Sequence, residues 1–337
     1  MTSYSDAGVN IGRGEEAVRR LKKHVEKTYS DEVLGGIGWF SGVINAASLK
    51  KFEEPVLSFT IDGVGTKTII AAALGKWKGI GHDIVNHCAN DLACQGGAPF
   101  AFLDYLASST LDPEIVEEIV SGMSEACQTL DCVLIGGETA EMPQVYHEGA
   151  MDVAGAMMGI AEKKQLLTGE HIRAGDLLIA LPSNGLHTNG YSLARKVLLE
   201  SANMDLTEEI SDLGMTLGEA LLAPHTEYSR LVRKLRDSVG LHGVAHITGG
   251  GIPGNLPRIL PKGLGARVRR SSIGVLPIFK LIQEKGNVPQ EEMEAAMNMG
   301  VGMILVADPA KLEGVLHEVN TAYVIGEVTK GEEVTIA

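Results

Sequence analysis

Residues 58–68 read SFTIDGVGTKT, a β-prone run that leads into an aspartate, two closely spaced glycines, a lysine and a threonine. The preceding residues at 55–61 predict a strand, and the apolar run after the loop predicts a helix. Glycines between a strand and a helix let successive backbone N–H groups approach a phosphate. The stretch is not a Walker A loop, because Thr66 separates Gly65 from Lys67 and the earlier glycine of that motif is missing.

The acid at the mouth of this loop, Asp62, indicates a cation. An aspartate repels a phosphate unless a cation lies between them, and Mg²⁺ is typically held by one or two carboxylates together with phosphate oxygens. Gly63 and Gly65 would then offer backbone N–H groups, and Lys67 would neutralise phosphate charge. A plain strand-to-helix turn is the alternative, since Asp-Gly is a common turn dipeptide.

Two further acids occur in comparable settings. A helix predicted from about residue 80 to 95 places four polar residues along one face: Asp83, His87, Asn90 and Asp91. Glu138 follows a predicted Gly-Gly turn at the end of the apolar strand CVLI, and ligands gather at strand ends in α/β sheets. We therefore expect Asp62, Asp91 and Glu138 to share an Mg²⁺–nucleotide site. Helix capping is the alternative for Asp91 and Glu138.

The second half of the chain carries two polar, glycine-rich segments, each before a predicted helix. The first is LPSNGLHTNGYSLARK at 181–196, and the second is HITGGGIPGNLPR at 246–258. Backbone groups at a helix N-terminus favour anions, and His187 could transfer a proton near pH 7. The alternative is an N-cap by Thr188 or Asn189 beside an exposed histidine.

Strands and helices alternate in both halves of the 337 residues, which predicts an α/β or α+β protein of two domains. A charged, turn-rich stretch at 162–176 indicates the boundary, which we set between residues 168 and 169. The formal charge of −14 and the 4% aromatic content argue against nucleic-acid binding and against anionic membranes. No apolar run reaches the length of a membrane span, and the four cysteines lack paired zinc spacing, so we expect a cytoplasmic protein with reduced thiols.

The motifs become specific when they are taken together and in order. They are YSDAGVN, DGVGTK, D-x-V-x-x-C-x-N-D, FLDY, GGETAEMP, MDVAG, GLHTNGYS, HITGGG and N-x-GVGM. This ordered set spans nearly the whole chain and resembles the phosphoribosylformylglycinamidine cyclo-ligase (aminoimidazole ribonucleotide synthetase) family of purine biosynthesis.

The resemblance implies an ATP-dependent ring closure of formylglycinamidine ribonucleotide, with Mg²⁺ and often K⁺. It also implies an N-terminal domain that binds ATP and pairs in a homodimer to form a β-barrel, and a C-terminal α/β domain that contributes to the substrate site. A selenophosphate synthetase, a thiamine-phosphate kinase and a non-catalytic nucleotide-binding regulator are the alternatives. The first would carry a reactive cysteine in its N-terminal glycine loop, whereas the loop LGGIGWFSG has none.

The resemblance also assigns individual residues. The nucleotide segment covers Asp62, Gly63, Gly65, Thr66, Lys67 and Asn90, with Asp91 and Glu138 near the metal. Tyr4, Asp6, Gly8 and Val9 match an N-terminal segment that folds over the site, and Lys22 matches a basic position on the first helix. The segments facing the ribonucleotide are His187, Thr188, Asn189, Gly190, Thr248, Gly249, Gly250 and Gly251. We expect Lys67, Asp91 and His187 to take part in catalysis.

Overall fold

The computed structural model describes residues 11–337, which form two compact units. The first comprises residues 11–92 and 98–164, and the second comprises residues 93–97 and 165–337. Both units combine helices with β-sheets, which confirms the predicted mixed α/β class. The positions predicted at Tyr4, Asp6, Gly8 and Val9 lie outside the described residues.

Within the described residues, the first unit contains six strands and four α-helices. In chain order its elements are α1 (Ile11–Val25), β1 (Val33–Gly35), β2 (Val43–Ile44), β3 (Pro55–Gly63), α2 (Lys67–Leu74), α3 (Lys78–Cys94, whose last two residues count with the second unit), β4 (Ala98–Ser108), α4 (Pro113–Thr129), β5 (Val133–Glu141) and β6 (Met151–Glu162). The main sheet has the order β3-β6-β4-β5, in which only β4 and β5 are parallel. A short antiparallel pair, β1 and β2, lies apart from it.

The two faces of this sheet differ. Side chains such as Ile84 and Phe102 are fully buried on the helix-covered side, whereas β3 alternates between exposed and half-buried positions. The start of α4 follows from local chemistry: Pro113 occupies its first position, and the Asp112 carboxylate accepts a hydrogen bond from the Glu114 N–H at 2.9 Å.

The sequence prediction was wrong about the Gly-Gly segment of β5. We expected a turn after CVLI, but the strand continues through Gly136 and Gly137 to Glu141. The ladder to β4 explains this, because Leu103 pairs with Gly136 and Asp104 pairs with Gly137. Long-range pairing here overrides the local preference of two glycines for a turn.

The second unit is a six-stranded sheet with helices. Its elements are β7 (Leu177–Pro182), α5 (Tyr191–Arg195), β8 (Glu209–Ile210), β9 (Met215–Thr216), α6 (Leu217–Leu222), α7 (Ser229–Ser238), β10 (Gly243–His246), α8 (Gly251–Asn255), β11 (Leu264–Val268), α9 (Pro277–Gly286), α10 (Gln290–Ala296), β12 (Val301–Ala307), α11 (Leu312–Glu318), β13 (Tyr323–Lys330) and β14 (Val334–Ile336). The order is β10-β12-β7-β13-β11-β14, with only β11 and β14 parallel. The fully buried β12 forms part of its core.

The apolar spacing of residues 219–235, EALLAPHTEYSRLVRKL, predicts a single helix, and this prediction is wrong. The structure ends α6 at Leu222 and begins α7 at Ser229. Pro224 accounts for the break, because the residue before a proline is driven out of the helical region, and Ala223 indeed has ψ 121°. The intervening loop brings His225 into the interior.

Candidate functional site

Asp62 and Asp91 lie near each other in the first unit. The Thr60 hydroxyl donates to Asp91 Oδ2 at 3.5 Å, and Asp62 Oδ1 lies 3.5 Å from His87 Nε2. Burial raises the pKa of the neighbouring Cys88 thiol, and the negative charges of Asp62 and Asp91 raise it further. Carboxylate oxygens are ligands that Mg²⁺ prefers, so this pair of acids fits an Mg²⁺ site.

The loop before α2 forms a tight turn. The Thr68 N–H donates to the Gly65 carbonyl oxygen and the Ile69 N–H to that of Thr66. Gly65 has φ 69°, in the left-handed region, and a Cβ built there would meet nothing within 4 Å. The turn therefore leaves open space at Gly65, as a ligand-binding loop requires, whereas Gly63 is the last residue of β3.

Lys67 has a different environment from the one the sequence indicated. Its side chain is 0% exposed, and its ammonium contacts the two carboxylate oxygens of Asp83 on α3 at 2.9 and 2.8 Å. Asp83 is also 0% exposed. Burial lowers the pKa of Lys67, although the negative charge of Asp83 opposes the shift. In this geometry the ammonium joins the start of α2 to α3, and its contact with a phosphate stays a prediction.

Glu138 does not lie beside the Asp62–Asp91 pair. Asp62 and Asp104 both pair with Gly155 from opposite sides, and Asp104 pairs in turn with Gly137. Three strand spacings therefore separate Asp62 from Gly137, about 14 Å between Cα atoms. Glu138 follows Gly137 and is exposed. The structure brings Asp62 and Asp91 together and places Glu138 farther along the same sheet.

Asp104 is a residue that the sequence reasoning missed. Burial raises its pKa to about 7, and the negative charge of Glu138 contributes in the same direction. Both carboxyl groups line a cavity of about 840 Å³ within the first unit, together with α1 and the glycine-rich segment at 36–42. This volume lies within the usual range of small-ligand pockets. The aspartate of FLDY was the only available signal, and its pairing with the Gly-Gly segment was not visible in the sequence.

Two other predicted residues of the first unit have clear positions. Asn90 is fully buried on α3, one residue before Asp91. Lys22 is exposed on α1, with its ammonium 3.7 Å from Glu26 Oε1. The adjacent Leu21 lines the cavity that contains Asp104 and Glu138.

The two polar segments of the second unit lie side by side. A Cβ built on Gly249 would lie 3.0 Å from Asn189 Oδ1. Gly250 and Gly251 have φ values of 96° and 57°, and a Cβ at Gly251 would collide with the Glu294 carbonyl oxygen. Asn255 fixes the loop by donating to the carbonyl oxygens of Gly249 and Gly251 at 3.2 and 2.8 Å. The predicted substrate segments therefore form one surface.

A helical segment follows each of these polar segments. Gly190 is the N-cap of α5, which continues directly as a π-helix to Ser201, and Gly250 is the N-cap of α8, which continues as a 3-10 helix to Ile259. The backbone N–H groups of each first turn are the groups that could bind an anion. The Thr248 hydroxyl donates to Asn255 Oδ1 at 3.3 Å. Asn298 supports the other segment, because its amide donates to the Gly185 carbonyl oxygen at 2.9 Å.

His187 is buried rather than exposed, with 1% of its surface accessible and φ 61°. A left-handed conformation is uncommon for any residue other than glycine, although histidine adopts it more readily than most, and it often marks a functional position. The ring stacks on His225 with 4.1 Å between ring centroids. The alternative of an exposed histidine beside an N-cap is therefore wrong.

Comparisons with known proteins agree with this fold. Residues 43–161 match the family described as AIR synthase related protein, N-terminal domain, and residues 173–337 match the corresponding C-terminal domain. The fold and these two matches define the class of the protein as AIR synthase-related.

Named relatives narrow the class. The phosphoribosylformylglycinamidine cyclo-ligase of Geobacillus kaustophilus (strain HTA426) is 46% identical, over 99% of this chain and 98% of the relative. The enzyme of the same name from Geobacillus thermodenitrificans (strain NG80-2) is 48% identical, over 99% and 97%. The chain therefore belongs to the phosphoribosylformylglycinamidine cyclo-ligase family, whose members carry out the ATP-dependent ring closure of purine biosynthesis. The resemblance of the ordered motifs is confirmed.

Solved structures of more distant proteins share the fold. A thiamine-monophosphate kinase from Stenotrophomonas maltophilia K279a has a TM-score of 0.69 at 18% identity, over 95% of each chain. A hydrogenase maturation protein, HypE, in complex with ATP has a TM-score of 0.64 at 16% identity, over 98% of this chain and 92% of that one. At these identities the likeness establishes the fold alone. Among residues 11–337, no helix is both long enough and apolar enough to cross a membrane.

Proposed function

We propose that this chain closes the imidazole ring of aminoimidazole ribonucleotide from formylglycinamidine ribonucleotide and releases ADP and phosphate. The observation that carries the proposal is the identity of 46–48% to named cyclo-ligases over 99% of the chain. The carboxylates of Asp62 and Asp91 in the first unit suit a metal–nucleotide site. The two polar segments of the second unit, which lie beside each other, suit a ribonucleotide.

The reaction explains why ATP is needed. An amide oxygen is a poor leaving group, so attack of the amidine nitrogen on the formyl carbon would by itself leave a tetrahedral adduct. Transfer of the γ-phosphoryl group of ATP to the formyl oxygen, with loss of the formamide N–H proton, gives an iminophosphate and ADP. The amidine nitrogen then bonds to that carbon and loses a proton, and the C–O bond breaks as phosphate departs. A proton shift from the ring CH₂ to the exocyclic imine nitrogen completes the aminoimidazole.

Asp62 and Asp91 are the proposed Mg²⁺ ligands, with Glu138 as a further acidic group toward the nucleotide. A bound Mg²⁺ would neutralise charge on a transferring phosphoryl group. Both carboxylates are held in place, Asp62 beside His87 and Asp91 by the Thr60 hydroxyl. The open turn at Gly65 and Thr66 would donate backbone N–H groups to phosphate oxygens. A requirement for K⁺ would appear as activity lost when Na⁺ replaces it.

The second unit is proposed to hold the ribonucleotide. Thr188, Asn189 and Gly190 would contact the substrate from one segment, and Thr248 to Gly251 from the other. His187 would take the proton from the attacking nitrogen or bind the substrate phosphate. Holding the substrate folded, with nitrogen and carbon in contact, would be a large part of the rate enhancement.

The open face of the first unit's sheet is the proposed homodimer interface. Phe59 is 72% exposed and Ile61 is 74% exposed, and Leu57 and Leu103 are also exposed. These side chains border an apolar cavity of about 640 Å³. Contiguous apolar surface of this kind marks protein–protein contacts, and two such faces together would enclose a barrel-like core. A cytoplasmic location completes the proposal, since all four cysteines are buried thiols.

A coupled assay tests the function directly. The purified chain is incubated with formylglycinamidine ribonucleotide, ATP, Mg²⁺ and K⁺, and ADP and aminoimidazole ribonucleotide are measured together. We expect one ADP for each ring closed, and no ADP with thiamine monophosphate as the control substrate. ATP binding without product would support a nucleotide-binding regulator and contradict the proposal.

A further inference from the structure

His225 forms the centre of a buried group of histidines in the second unit. The apolar spacing of the residues around it predicts a helix interior, but it lies in the loop between α6 and α7, with 1% of its surface exposed. His187 and His246 contact it on different sides and are 1% and 5% exposed. His187 belongs to the first segment proposed to bind substrate, and His246 lies two residues before Thr248 of the second.

The contact with His187 is a ring stack. The centroids are 4.1 Å apart and the planes differ by 19°. Tyr228 meets His187 from another direction, with 6.1 Å between centroids, and its hydroxyl donates to the Pro182 carbonyl oxygen at 2.7 Å. Gly302 on β12 leaves the required space, because a Cβ there would collide with the Tyr228 hydroxyl and lie 2.9 Å from the His187 ring. The His187 ring is thus held by packing.

The contact with His246 is a hydrogen bond between ring nitrogens, with 3.0 Å between the two Nε2 atoms. Such a bond requires a proton on one Nε2 and none on the other, so the tautomers of the two rings are linked. On its other side, His225 Nδ1 lies 3.4 Å from the Thr188 hydroxyl oxygen, a long contact. That oxygen also accepts from the Asn189 amide at 3.4 Å.

One arrangement of protons satisfies all of these contacts. In it the Thr188 hydroxyl accepts from the Asn189 amide and donates to His225 Nδ1. His225 carries its proton on Nε2 and donates it to His246 Nε2, and His246 carries its proton on Nδ1. His225 thus contacts both the ring face of His187 and the ring nitrogen of His246.

We propose that His225 is a positioning residue, which holds the His187 ring by stacking and sets the tautomer of His246 by hydrogen bonding. The inference rests on the proposed function, because it assigns the site histidines to ring closure. His225 itself touches neither the substrate nor ATP in this account. It acts through the two rings that it orients.

Two variants separate the two contacts. His225→Phe keeps an aromatic ring for the stack and removes both ring nitrogens, whereas His225→Gln keeps a donor near the position of Nε2 and removes the ring. The matched controls are His317→Phe and His317→Gln, at an exposed histidine of α11 in the same unit. The first measurement is a long-range ¹H–¹⁵N spectrum of the histidine rings without substrates.

The spectrum of the unsubstituted chain should show His246 protonated on Nδ1 and His225 on Nε2. In His225→Phe the His246 ring should populate both tautomers, whereas in His225→Gln it should keep one tautomer and the His187 resonances should shift. An unchanged His246 spectrum in His225→Phe would overturn the inference. If that variant fails to fold, the spectrum of the unsubstituted chain tests the inference by itself. A His246 ring protonated on Nε2 in that spectrum would also overturn the inference.

The second measurement is the coupled ligase assay. His225→Phe should lower kcat by about 10–100-fold, the usual cost of a misplaced catalytic group, and leave the KM for ATP within about twofold. The His317 variants should match the unsubstituted chain. A fully active His225→Phe variant beside an active parent would overturn this inference alone, whereas an inactive parent would overturn the proposed function and the catalytic part of the inference with it.

Discussion

Replacement of Lys67 by methionine should destabilise the first unit strongly. The substitution keeps the length of the apolar stem and removes the ammonium that contacts both carboxylate oxygens of Asp83. Because both side chains are fully buried, Asp83 would remain as a charge without its buried counter-ion. Breaking a buried ion pair in this way costs about 3–5 kcal/mol.

The expected loss of stability can be compared with the total free energy of unfolding. Domains unfold with a free energy of about 5–15 kcal/mol, so the variant would lose a large fraction of the stability of its unit. The midpoint of urea unfolding should fall by about 1–2 M, if the free energy of unfolding falls with urea concentration at a typical slope. The loss should lessen at acid pH, because the stranded Asp83 would have a raised pKa and its protonated form is tolerated in the interior.

A double-mutant cycle makes the measurement specific. Lys67→Met combined with Asp83→Leu should recover most of the lost free energy, because an apolar pair can replace a buried ion pair at little cost. Lys163→Met is the control, since Lys163 forms an exposed pair with Glu54 and should leave the midpoint unchanged. Unaltered unfolding together with weakened ATP binding in Lys67→Met would refute this reasoning and make Lys67 a phosphate ligand.

Three further outcomes can be checked separately. Asp62→Asn should abolish ADP formation and weaken Mg²⁺ binding by calorimetry while the melting temperature stays within about 2 °C; full activity would remove the metal role. Phe59→Glu should shift the sedimentation coefficient from that of a dimer to that of a monomer, and an unchanged coefficient would reject the proposed interface. The stability due to Asp104, whose pKa is about 7 when folded and about 4 when unfolded, is complete below pH 4 and is lost as the pH rises through 7. Urea unfolding in EDTA should therefore depend less on pH in Asp104→Asn than in the parent, and equal pH profiles would contradict the assignment.

The features that the sequence predicted correctly are those that local chemistry determines. Asp112 as an N-cap and Pro113 at the first helical position predict from the sequence alone a helix that begins at residue 113, and α4 begins there. The helical period correctly placed Asp83 and Asp91 on one helix, α3, and the β-prone run correctly predicted the strand before Asp62. These inferences need only the spacing of residues along one element.

The features that the sequence did not reveal depend on partners distant in the chain. No pattern shows that the Lys67 ammonium meets Asp83, because the meeting depends on how α2 packs against α3. In the sequence Asp104 looks like an ordinary strand residue, because its pairing with Gly137 depends on a strand distant in the chain. The apolar spacing around His225 is typical of a helix, so its position was not visible in the sequence. The helix break at Pro224 places it in a buried loop.

The segment 93–97 has a consequence for how this protein can be divided and made. Ala93 and Cys94 belong to the apolar core of the second unit, together with Leu235 and Val244. A gene fragment that begins at residue 165 would omit them and leave a gap where their side chains pack. On the ribosome, these residues emerge well before the strands they pack against, so the core of the second unit closes only late in synthesis. Designers of separate units should therefore graft 93–97 onto the later fragment instead of cutting once.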